Sequence, residues 1–150
     1  MFAALLLVAA LQSSPEADVG RVIDRLHETA AAADGDAYFA LFTANARFIG
    51  TDRSERWSLA QFRDYAAPHF AAGRGWTYRS VSRSVTIAPI ECRCVAWFDE
   101  VLENESYGTT RGSGVLRLTD GGWKIDQYVL SFAVPNDKAR QVVDVIRKAD

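Results

Sequence analysis

Apolar residues recur at helical spacing through the first half of the chain. Val19, Val22, Ile23, Leu26 and Ala30 fall on one face and predict a helix over about residues 15–33. Ser14 stands at its N-cap, and Pro15, which has no amide hydrogen to satisfy, takes the first helical position. Asp34-Gly35 ends it. Asp36 then caps a short second helix whose Tyr38, Phe39, Leu41 and Phe42 face inward, and Ala46-Arg47-Phe48-Ile49-Gly50 reads as the first strand. Ser58-Leu59-Ala60-Gln61 forms a capping box, the serine hydroxyl accepting from the third helical N–H while Gln61 reaches back. Leu59, Phe62, Ala66 and Phe70 are the buried stripe of this third helix, which runs out at Ala72-Gly73.

From Trp76 the period becomes two, in four runs at residues 76–88, 92–102, 107–119 and 123–134. Pro89, residues 103–106 and Asp120-Gly121-Gly122 separate them as turn signals, so the runs pair as antiparallel neighbours. A last helix starts at Pro135-Asn136-Asp137, with Ala139, Val142, Val143 and Ile146 on one side. Helices followed by a sheet that must bury one face against them define an α+β domain.

Composition narrows the partners more than the fold. At 150 residues, 49% hydrophobic and 24% charged, the chain has material for one core and one domain. Its formal charge is -2 and its arginines are scattered among acids, so no basic field is built for nucleic acid. The apolar run at residues 2–11 is too short to span a bilayer. Small residues at Val8-Ala9-Ala10 and a fresh helix start at Ser14 make residues 1–12 read as a secretory signal and residues 13–150 as the mature domain, periplasmic or secreted. The alternative is a helix packed on the domain or a partner chain, in a cytoplasmic protein.

Cys92 and Cys94 are the only cysteines. On a strand a C-x-C pair shares one face about 6 to 7 Å apart, a spacing that strains a disulfide, so the two read as small, partly buried apolar residues, with an oxidised bridge as the alternative. His27 and His69 repeat no zinc spacing, and no metal or cofactor site is expected.

The blocks FIGTDRSERW, PHFAAGRGWTY, VAWFDE, RGSGVLRLTDGGWKIDQYVLSF and VPND, in this order, resemble the SnoaL-like branch of the nuclear transport factor 2-like (NTF2-like), or cystatin-like α+β barrel, superfamily, over about residues 19–147. The resemblance implies a cone: helices on a strongly curved sheet, a cavity between them, and a mouth where helices and strand-end loops meet. It also implies a homodimer. The superfold carries isomerases, dehydratases and cyclases beside non-catalytic binding domains, so it leaves the activity open.

Alternation places Trp97 and Asp99 on one face of the 92–102 run, and Phe98 and Glu100 on the other. A hairpin closing with Glu103 opposite Tyr107 sets Asp99 across from Arg111, as a surface ion pair or as pocket groups: Asp99 a candidate general base, Arg111 a clamp for a ligand carboxylate. Gly112 and Gly114 beside Arg111 admit another backbone or a ligand. Tyr38 and His69 are the candidate proton donors. Gln127 occupies the segment where related sequences place a histidine, and it hydrogen-bonds without transferring protons near neutral pH. In the charged loop after the first strand, Asp52 is either a turn former or a ligand group, and Trp57 either staples the helix entry or walls the mouth. The expected ligand is a hydrophobic small molecule with a polar or anionic end, bound without chemistry or, alternatively, turned over by a cofactor-independent isomerase, dehydratase or cyclase.

Overall fold

The computed structural model describes residues 13–149, so the proposed signal segment lies outside the described residues. Helix α1, Pro15–Ala31, opens with Ser14 accepting from the Ala17 amide and buries Val19, Ile23, Leu26 and Ala30 as the spacing requires. Helix α2, Gly35–Phe39, is capped by Asp34, whose carboxylate accepts from the Ala37 amide at 3.0 Å, so the cap stands two residues before the expected Asp36. Strand β1, Phe42–Ile49, is followed by a three-residue strand β2, Arg56–Ser58, that folds back on it. Helix α3, Leu59–Ala71, carries the full Ser58–Gln61 capping box and buries Phe62, Ala66 and Phe70.

Four long strands follow: β3, Arg79–Ile87; β4, Val95–Asn104; β5, Gly108–Thr119; and β6, Gly122–Phe132. The curved sheet runs β2-β1-β6-β5-β4-β3 and is mixed, because β1 pairs parallel with β6 while every other pairing is antiparallel. Its inner face sets Ala96, Phe98, Leu102, Leu116 and Ile125 against the helices. A short 3-10 turn, Asn136–Lys138, leads into helix α4, Ala139–Ala149, whose side chains at 139–148 are all exposed. No helix among the described residues is long and apolar enough to cross a membrane.

Three local features decide which side chains reach the interior. The β4–β5 hairpin closes with Asn104 opposite Gly108. Asn104 accepts from the Ser106 and Tyr107 amides, and Gly108 takes φ +65, a left-handed conformation that costs glycine nothing. The register is therefore shifted from the expected one: Asp99 faces Ser113 and Arg111 faces Val101.

The second feature is a bulge on β6. Leu116 pairs with Ile125 but Val115 pairs with Gln127, so Asp126 is an extra residue. Trp123 and Ile125 face inward before it, Tyr128 and Leu130 after it, and Gln127 is turned outward with Val115. Gly114 accommodates the bulge, since a Cβ there would stand 2.1 Å from the Gln127 carbonyl oxygen.

The third is the β3–β4 connection. Cys92 and Cys94 lie in this loop rather than on a strand, and Arg93 between them has φ +47. The turn brings their Cα atoms to 5.1 Å, inside the disulfide range, and the two are bonded, which corrects the expectation of free apolar cysteines.

Candidate functional site

At one end of the fold the β1–β2 loop, α3, the segment before β3 and the β4–β5 hairpin surround an open cavity of about 570 Å³. Its walls are aromatic: Phe48, Trp57, Tyr65, Trp76, Tyr78 and Tyr107. Their placement follows from the packing beneath them. Phe48 stacks on the buried Phe62 with ring centroids 3.9 Å apart, Trp57 lies flat against Phe62 and Tyr65 at 5.6 and 4.8 Å, and Trp76 stacks on Phe70 at 4.6 Å. The loop that opens the mouth is knitted internally. The Gly50 amide donates to the Glu55 carbonyl, the Ser54 amide to the Asp52 carboxylate at 2.8 Å, and the Asp52 amide to the Glu55 carboxylate. Glu55 and Glu105 are the only acidic or basic side chains among the described lining residues.

Phe48, Trp76, Tyr78 and Leu130 line both this mouth and a smaller void of about 20 Å³ beneath it, whose far wall is His27, Tyr38 and Tyr128. The ring nitrogen Nε2 of His27 lies 2.8 Å from Oε1 of Glu100, a carboxylate with a fully buried side chain. A carboxylate only accepts, so Nε2 carries the hydrogen of this contact, and when the ring is neutral Nδ1 is its acceptor. Arg83 holds the other oxygen of Glu100 through Nε at 3.0 Å and is itself fixed by the Gly20 carbonyl and the Asp24 carboxylate. The Tyr128 hydroxyl reaches Glu100 at 3.4 Å.

Burial works against the charge on Glu100, but the hydrogen bonds and charges of His27 and Arg83 outweigh it and hold the carboxyl below its usual range. Burial pushes the Tyr38 and Tyr128 hydroxyls well above theirs, with the Glu100 charge adding to the effect on Tyr128. Gly112 makes the arrangement possible: a Cβ there would stand 2.5 Å from the Tyr128 hydroxyl and 2.9 Å from Glu100 Oε1.

The family model of the SnoaL-like domain matches residues 19–135. The chain belongs to the SnoaL-like domain family. No curated protein sequence matches it significantly. Among solved structures, an NTF2-like protein of unknown function from Pseudomonas putida KT2440 superposes with a TM-score of 0.68 at 12% identity, covering 86% of this chain and 94% of that one. A protein from Streptomyces avermitilis named as a candidate dehydratase of the NTF2-like family gives 0.65 at 14%, covering 80% and 96%. One from Shewanella frigidimarina named as a candidate ketosteroid isomerase gives 0.61 at 17%, covering 79% and 98%. At these identities the likeness is one of fold.

Within this SnoaL-like cone the expected site residues separate. Trp57 lines the mouth and Tyr38 the inner void. Asp99 and Arg111 stand on the outer face of the sheet, 3.7 Å apart across a diagonal and both more than half exposed, so neither faces the cavity. Gln127 joins them on that face because of the bulge. Asp52 is spent on its own turn, where the hydroxyl and amide of Ser54 hold its carboxyl below the usual range. His69 packs beside the Tyr65 ring, 5.5 Å between centroids, and lines neither cavity.

The histidine that does reach the interior is His27, one helical turn after Ile23 on the buried stripe of α1. Alternation puts Glu100 on one face of β4 with Phe98 and leaves open whether that face or the Asp99 face is the inner one; the structure buries the Glu100 face. A carboxylate there requires cationic or hydrogen-bonding partners, and that was the available signal for His27 and for Arg83, which alternates with Val85 and Ile87 on β3.

Proposed function

We propose that the SnoaL-like cone binds a small hydrophobic molecule in the aromatic mouth. The observation that carries this reading is the position of the constriction: of the two spaces that meet at Phe48, Trp76, Tyr78 and Leu130, the one with room for a ligand is the aromatic mouth, and the polar cluster borders the other. A cavity of about 570 Å³ walled by rings and bordered by a few polar groups suits a molecule of one or two fused rings. Titration with 2-naphthol, followed by quenching of tryptophan fluorescence, tests it. Saturable one-to-one binding that is weakened at least about tenfold in Trp57→Ala is the expected result; quenching that never saturates rejects the reading.

The His27–Glu100 pair favours a second reading, cofactor-independent proton transfer of the isomerase or dehydratase kind. Glu100 and Arg83 fix the ring, and Nδ1 of His27 takes a proton α to a carbonyl once a substrate displaces the constriction. The base in this reading is His27, in place of Asp99. Exchange of the α-protons of 2-tetralone in D₂O, followed by proton NMR, should then be accelerated by the protein and lost in His27→Gln. Equal exchange in the two proteins removes this reading and leaves the binding one.

A further inference from the structure

The lining of the mouth has a sign. Six aromatic side chains surround it, the acidic groups among them are Glu55 and Glu105, and among the described residues no lysine or arginine is part of the lining. Arg53 and Arg56 stand on the same loop but are exposed and outside the cavity, and Arg79, next to Tyr78, pairs with Glu103 on the neighbouring strand. Arg111, the group expected to hold an anionic end, is on the far side of the sheet.

From this we propose that the ligand of the mouth is an organic cation, an amine or ammonium compound with an apolar body, and the proposal rests on the binding reading above. Aromatic faces carry negative potential, and a cation over the ring of a tryptophan or tyrosine gains most where water is partly excluded. Trp57 and Trp76 supply such faces on two walls, and Tyr65, Tyr78 and Tyr107 add rings whose hydroxyl oxygens accept from N–H groups. Tyr78, Tyr107, Glu55 and Tyr65 line the same cavity, and burial first, then these neighbours, push the Tyr78 hydroxyl up to about 12, so the phenol stays neutral. Glu55 is held in place by the Asp52 amide and by the absence of a side chain at Gly50, where a Cβ would stand 2.0 Å from its carboxylate. An anion would meet two carboxylates, with no lysine or arginine among the described lining residues. A neutral molecule would use the rings and leave the carboxylates idle.

Three compounds of one skeleton separate the possibilities: 3-phenylpropylamine, 3-phenylpropan-1-ol and 3-phenylpropanoate, titrated calorimetrically at pH 7 and low ionic strength. The amine should bind at least about fivefold tighter than the alcohol and the carboxylate weakest, with the preference for the amine shrinking at 0.5 M salt. In the double variant Glu55→Gln, Glu105→Gln the amine should fall to the affinity of the alcohol while the alcohol is unchanged. Glutamine preserves the acceptor that Glu55 offers the Asp52 amide, so the loop keeps its turn, and Glu105→Gln alone gives the same direction of change without touching that turn. Equal affinity for amine and alcohol in the wild type overturns the charge assignment and leaves the cavity reading standing. Tightest binding of the carboxylate overturns it in favour of an anionic ligand. If none of the three binds, the assignment and the reading it rests on fall together.

Discussion

Nε2 of His27 and Oε1 of Glu100 meet at 2.8 Å although 73 positions separate them in the chain, one on the first helix and the other on the fourth strand. The contact joins helix to sheet at the floor of the cone, and Arg83 extends it to Asp24 and the Gly20 carbonyl, tying α1 to β3 as well. The cluster is both the most polar part of the interior and the clamp between the two layers.

Glu100→Gln tests the clamp. The amide fills the same space but gives up the charge that Arg83 and His27 both address. The expected cost is about 1.5–3 kcal/mol, the range for hydrogen bonds to charged groups, read from the urea midpoint. Arg83 keeps Asp24, which holds the loss below that of a guanidinium stranded without any partner.

The same pair sets the acid limb of stability. Glu100 is held below the usual carboxylate range in the folded protein, so the unfolded chain, near 4.3 or about that, binds the proton more readily. Its contribution is therefore complete above roughly pH 4.3 and is lost as the pH falls through the lower folded value. Unfolding followed between pH 7 and 3 should show wild type and Glu100→Gln converging in acid. A gap that stays constant down to pH 3 would remove Glu100 from the acid limb.

Much of this was legible in the chain, and its limits are physical. Ser14, Ser58 and the apolar stripes fixed the helix starts, because caps and spacing are local. The parity of Phe98, Glu100 and Leu102 likewise followed from alternation. What local pattern does not carry is register. Asn104 and Gly108 set the hairpin through an amide-accepting side chain and a left-handed glycine, and Asp126 resets the parity of β6 through one inserted residue. Both effects moved candidate residues: Arg111 away from its place opposite Asp99, and Gln127 to the outer face. His27 carries no local mark of its role, because its partner comes from a strand 73 positions along the sequence.

The exposed pair should behave as a surface feature. Asp99→Asn and Arg111→Ala each remove one half of a contact with both side chains more than half exposed, so stability should change by about 0–1 kcal/mol after solvent screening. 2-Naphthol affinity should be unchanged in both. Asp52→Asn should also leave it unchanged, since asparagine can accept from the Ser54 amide in the same turn.

Trp97 stands on the outer face of the sheet, 46% exposed, with Val115 beside it on the next strand. An exposed tryptophan on this face, beside the Asp99–Arg111 pair, suits self-association, and we propose that a second copy of the chain covers it. Sedimentation at micromolar concentration should give about twice the 16.6 kDa chain mass, less any segment removed from the N-terminus, and Trp97→Glu should reduce it to one. A wild-type monomer rejects the proposal.

Gly112→Ala asks whether the floor of the cone tolerates a single methyl group. The new Cβ would stand 2.5 Å from the Tyr128 hydroxyl and 2.9 Å from Glu100 Oε1, well inside contact distance, while a Cβ at Gly114 would press on backbone. Tyr128 is packed between Phe48 and Phe98, with ring centroids at 5.6 and 5.9 Å, so its ring cannot swing far. The carboxylate of Glu100 has more freedom only if it leaves His27. Gly112→Ala should therefore fold, lose about 1–3 kcal/mol as overpacked cores do, and shift the His27 ring resonances in NMR spectra, with Trp57 and the mouth untouched. Retained His27 resonances together with wild-type stability would mean that the tyrosine yields instead, and that the contact between Glu100 and His27 is held more firmly than the packing around Tyr128.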